Sequence, residues 1–109
     1  MSLRRLERRH QVMLEEIIDL GLVLRGTIGA RMMRCGTPGC RCKADPPKLH
    51  GPYYLWTRKV AGKTVTVRLD PDQAARCQEW TRNMRRLDHL VKDLQKLGLQ
   101  AADALIRST

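Results

Sequence analysis

Leu3, Leu6, His10, Met13, Ile17 and Leu20 follow one another at steps of three, four, three, four and three residues. That is the repeat of a single helical face, and it predicts an N-terminal helix that stops near Gly21. Away from this seam, Arg4, Arg5, Arg8 and Arg9 open the segment and Glu15, Glu16 and Asp19 close it. The helix dipole favours the opposite order, so the arginines are expected to serve something outside the helix. The same stepping recurs at Cys77, Trp80, Met84, Leu87, Val91 and Leu94. It predicts a second, longer helix entered at Asp70-Pro71-Asp72-Gln73, where Asp70 can cap, Pro71 suits the first turn and Gln73 can reach back. Gly98 is expected to break this helix, with a short closing helix over Leu99 to Ile106 and a frayed end at Arg107 to Thr109. Leu90 and Leu97 widen the seam, and its length predicts a homodimer through residues 77–94 with the N-terminal helices alongside.

Between the helices the period falls to two. Thr27 to Arg34 reads as one strand bent at glycine. Tyr53 to Arg58 and Lys63 to Leu69 are rich in β-branched and aromatic residues and read as a hairpin around Val60-Ala61-Gly62. A two-residue loop would force Ala61 to positive φ, so a three-residue loop with a glycine bulge is expected, pairing Lys59 with Lys63. That register puts Tyr53, Leu55 and Thr57 with Val65, Val67 and Leu69 on a core face. Tyr54, Trp56 and Arg58 then share the outer face with Thr64, Thr66 and Arg68. Pro46-Pro47 and Gly51-Pro52 are expected to keep residues 43–52 free of regular structure. The fold class is therefore α+β in a single domain, residues 1–109. It comprises an N-terminal helix (1–21), a β unit of about three antiparallel strands (22–69) and a long helical segment with a coiled-coil-like seam (70–109).

Into this β unit is inserted Cys35-x4-Cys40-x-Cys42-x7-His50. Three thiols and an imidazole within sixteen residues are the donor set that Zn²⁺ takes in tetrahedral structural sites. All four positions would be filled by protein, so the zinc is expected to be structural. The site would also contribute folding free energy to a chain with 4% aromatic residues and no Phe. A disulfide would need an oxidising compartment, and the N-terminus shows no apolar signal segment. An iron–sulfur cluster would need a fourth thiolate, which only Cys77 could supply; Cys77 also stays open as an alternative to His50, although its place on the helical seam suits a core residue.

Charge narrows the partners. The 109 residues carry 21 Lys and Arg against 11 Asp and Glu, a net +10. Such an excess is relieved by a polyanion, and nucleic acid leads, DNA ahead of RNA. Phosphates would be met by Arg4, Arg5, Arg8, Arg9, Arg41, Lys43 and Arg85, with stacking or groove contact from Tyr54, Trp56, Arg58 and Arg68. No apolar run is long enough for a membrane span, and no nucleophile–base pair points to an enzyme or a small-molecule substrate. A cytoplasmic, non-enzymatic binding protein is expected. The alternative is a protein-interaction adaptor that dimerises or docks on a partner through its heptad helices.

Cys-Gly-Thr-Pro-Gly-Cys-Arg-Cys, His-Gly-Pro-Tyr-Tyr-Leu and Gly-Lys-Thr-Val-Thr-Val together resemble the signature of an uncharacterised bacterial and archaeal family of small proteins, over about Gly26 to Trp80. The resemblance implies ligands at Cys35, Cys40, Cys42 and His50, and structural roles for Gly51-Pro52-Tyr53-Tyr54 and Gly62-Lys63. It also implies a setting near mobile-element genes and brings no activity with it. The N-terminal helix departs most from that pattern.

Overall fold

A computed structural model describes residues 2–108. The elements run α1 (Leu3–Asp19), β1 (Thr27–Met33), a 3-10 turn (Arg41–Lys43), β2 (His50–Val60), β3 (Lys63–Leu69) and α2 (Pro71–Arg107). The fold is α+β, as the periodicities require. Thr109, at the expected frayed end, lies outside the described residues. The chain divides into two compact units, one formed by residues up to Val23 with those from Arg82, the other by Leu24–Thr81.

In the first unit the apolar stripe of α1 meets that of α2, and Leu6, Leu90 and Leu97 are buried. Ser2 caps α1, its Oγ accepting from the Arg5 amide at 3.3 Å. An Arg86–Glu16 ion pair and a hydrogen bond of 2.9 Å from Asn83 Nδ2 to the Leu22 carbonyl tie the far ends together. The buried line of α2 is displaced from the expected one: Leu90 is 2% exposed, whereas Val91 is 43% exposed. The leucines treated as a widening of the seam are therefore its centre. α2 also runs straight through Gly98 to Arg107, so the break and the separate closing helix are not found. One helical glycine costs only about 1 kcal/mol, and Leu97, Ala101 and Ala104 carry the stripe across it.

In the second unit β1, β2 and β3 form an antiparallel sheet in that order. The entry to α2 is a reciprocal capping box: the Gln73 amide donates to Asp70 Oδ1 at 2.8 Å and the Asp70 amide to Gln73 Oε1 at 2.9 Å. β2 begins at His50, so regular structure does reach through Gly51-Pro52, contrary to expectation. The partners Arg31↔Tyr53 and Met33↔His50 leave Met32 facing two residues of β2. Such a bulge accommodates a proline that has no amide to donate. Gly51 is required there, because its φ is +128° and a Cβ would lie 2.7 Å from the Arg31 carbonyl oxygen.

The hairpin register also differs from expectation. Val60 pairs with Lys63, leaving a two-residue turn at Ala61-Gly62, with φ 50° at Ala61 and 80° at Gly62. Both residues are left-handed, as a turn matching the twist of the strands demands, and the strands outweigh the cost at Ala61. Thr57 then stands opposite Thr66, their hydroxyls 3.3 Å apart, and Lys59 Nζ donates to Thr64 Oγ1 at 2.8 Å. Every side chain of β3 changes face relative to β2. Tyr54, Trp56 and Arg58 lie with Val65, Val67 and Leu69, while Tyr53, Leu55 and Thr57 lie with Thr64, Thr66 and Arg68.

Candidate metal centre

β1 leads into Cys35, the 3-10 turn carries Cys42, and β2 opens at His50, so three neighbouring elements bring the ligands together. The Sγ atoms of Cys35, Cys40 and Cys42 and a ring nitrogen of His50 all lie within 4.8 Å of one another. Cys35 Sγ is 3.6 Å from Cys42 Sγ, and Cys40 Sγ is 3.1 Å from His50 Nε2. Zn–S bonds of about 2.3 Å in a tetrahedron put sulfurs about 3.8 Å apart, so the cluster has the size of a filled four-ligand site. Cys77 stays on α2, half-buried and outside this group; His50 holds the fourth position.

The backbone around the thiols is arranged for thiolates. The Cys35 amide donates to Cys42 Sγ at 3.3 Å. Hydrogen bonding from the Thr37 backbone, then from Cys40 and Cys42, draws the Cys35 thiol down to about 6. Cys40 is lowered by the Cys42 backbone and by His50. Cys42 goes the other way: the Cys35 amide lowers it, but burial and the neighbouring sulfurs together raise it. Cys40, then Cys35, raises His50 by favouring its protonated ring. Sulfurs at Cys35 and Cys40 whose thiolate form is favoured, beside an imidazole nitrogen, are donors that a metal cation could join in place of a proton. The loop is braced by Lys43, whose Nζ donates to the Thr37 carbonyl at 3.1 Å.

A model of the domain of unknown function DUF6788 matches residues 3–79. The chain belongs to this family. The match begins at α1, the segment whose sequence departs most from the resemblance, and ends in the first turns of α2. No curated protein and no solved structure matches the chain.

The residues expected to meet nucleic acid are distributed over both units. Arg4, Arg5, Arg8, Arg9 and Arg85 are exposed in the helical unit. Arg41 and Lys43 flank Cys42 in the 3-10 turn. Tyr54, Trp56 and Arg58 share one face of the sheet, but Arg68 is on the other, which dissolves the expected outer face. Trp56 is occupied within the fold: its Nε1 donates to the Arg25 carbonyl at 3.0 Å, and the Arg58 guanidinium lies 3.9 Å from the ring centroid. Arg58 Nη1 is itself buried without a hydrogen-bond partner. Arg68 instead stacks on Tyr53, at 3.9 Å. Residues 20–69 hold ten Lys or Arg and one Asp, so a net +9 of the chain's +10 falls on the stretch containing the cluster and the sheet. That asymmetry is countable from the sequence.

Proposed function

We propose that this protein is a zinc-stabilised, non-enzymatic nucleic-acid-binding protein, acting on DNA ahead of RNA, in an accessory or regulatory role such as one within a mobile element. The observation that carries the reading is the coincidence of the Cys₃His cluster with the segment of net +9. Zn²⁺ suits three thiolates and one imidazole, and a site filled by four protein ligands holds a fold and leaves no position for a reacting water. A basic surface organised by such a clip supports phosphate binding. The test is anisotropy of labelled random DNA with protein purified without chelators, titrated from about 50 to 200 mM salt. Affinity that falls steeply with salt and disappears on chelation is expected. Absence of binding at the lowest salt would overturn the reading.

A second reading, an adaptor docking on another protein, is favoured by apolar side chains left in solvent on the helices. Ile18, Leu99 and Ile106 are 77%, 73% and 71% exposed. Leu90 and Leu97 are buried within one chain, whereas Val91, in the seam of residues 77–94 expected to dimerise, is 43% exposed. Light scattering that shows a dimer indifferent to nucleic acid would support this alternative.

A further inference from the structure

One face of the sheet carries side chains that the metal centre does not use. On it Arg31 of β1 stands opposite Tyr53 of β2, and Gly29 stands opposite Leu55, which faces Arg68 of β3. The Arg68 guanidinium lies over the Tyr53 ring; Tyr53 is half-buried and Arg68 exposed, so the outer plane of the guanidinium meets solvent. A Cβ added at Gly29 meets no atom within 4 Å, so the surface beside Leu55 is open as well. A cleft of about 510 Å³ adjoins the stack, with Pro52 and Pro71 among its walls. Asp70 also lines it, its Oδ1 held by the Gln73 amide. The three strands contain no Asp or Glu, and Arg31, Lys59 and Arg68 give this face a positive charge.

The geometry points to this face as the binding surface for a single-stranded nucleic acid, with a base stacked on the Arg68 plane and phosphates met by Arg31 and Lys59. This rests on the nucleic-acid reading above and names its surface. A guanidinium backed by an aromatic ring is a rigid, flat, cationic platform, and unpaired bases stack on such planes whatever their sequence. A duplex keeps its base faces inside its own stack, and a flat sheet face offers it no helix or ribbon to enter a groove. Lys59 donates one of its three protons to Thr64 and keeps two for a phosphate.

The test measures anisotropy of labelled oligo-dT, oligo-rU and a random duplex with the full chain, alongside the Arg68→Lys and Gly29→Glu variants. Arg68→Lys keeps the charge and removes the plane; Gly29→Glu places an acid in open space without touching the stack. Single strands are expected to bind more tightly than duplex, and each variant to weaken that binding by roughly fivefold or more while melting like the wild type. In Arg68→Lys the salt slope should be unchanged. Tighter binding of oligo-dT assigns the face to DNA and of oligo-rU to RNA, and either supports it. Duplex bound at least as well as both single strands would overturn the assignment and leave the wider reading intact. Unchanged affinity in both folded variants would also overturn it. No binding to any of the three at low salt would overturn both.

Discussion

Trp56 illustrates how the hairpin register changes what surrounds one side chain. With Arg58, Tyr54 and Arg68 nearby in sequence it resembles a stacking residue, yet it anchors the strand pair to the Arg25 carbonyl beneath the Arg58 guanidinium. Trp56→Ala should therefore cost about 3–5 kcal/mol of stability, read from denaturant unfolding. A variant that melts normally but loses nucleic-acid affinity would return Trp56 to the binding face. The four ligands were legible for a different reason. Short loops between Cys35, Cys40 and Cys42 restrict those side chains to a common region whatever the rest of the chain does. His50 was legible because a strand start following the loop is a fixed point. The Tyr53–Arg68 stack was not, because it depends on the hairpin turn at Ala61-Gly62, and the Arg31–Tyr53 pair was not, because it depends on the register between β1 and β2.

Among the elements, that turn carries the largest consequence. Among the described residues Ala61, at φ 50°, is the non-glycine residue with positive φ, a conformation that local sterics disfavour. The cost is real but smaller than that of misaligning Thr57 with Thr66 and the strand twist. Asn tolerates the left-handed region and precedes glycine in such turns, so Ala61→Asn should stabilise the protein by about 1 kcal/mol, a rise in melting temperature of about 4–8 °C. A fall on this substitution would argue for the three-residue loop. The helices are legible from their stepping and the start of α2 from its capping box, but the apolar period of α2 outweighs the lone Gly98. Gly98 is exposed and a Cβ there meets nothing within 4 Å. Gly98→Ala should add about 1 kcal/mol, seen in chemical denaturation; destabilisation would mean that the helix bends or is approached closely at that point.

For the molecule as a whole, burial is sparse: among the described residues the fully buried large side chains are Leu6, Leu90, Thr81 and Cys42. One of the four, Cys42, belongs to the candidate metal cluster, so a metal held there would substitute for part of a core in the sheet unit. The charge is equally uneven, with a net +1 on the residues outside 20–69, so the helices are close to neutral and the positive excess lies in the stretch that holds the cluster. Removing the metal should therefore unfold the β unit as a whole and abolish nucleic-acid binding with it. Chelation followed by circular dichroism should show loss of strand signal, and a spectrum unaffected by chelation would mean that the strands stand without the clip. The most direct test of the account is the zinc content of the intact chain by native mass spectrometry, after purification without chelators. One zinc per chain, lost in Cys42→Ser, is the predicted result; wild-type protein that is folded and metal-free would contradict it.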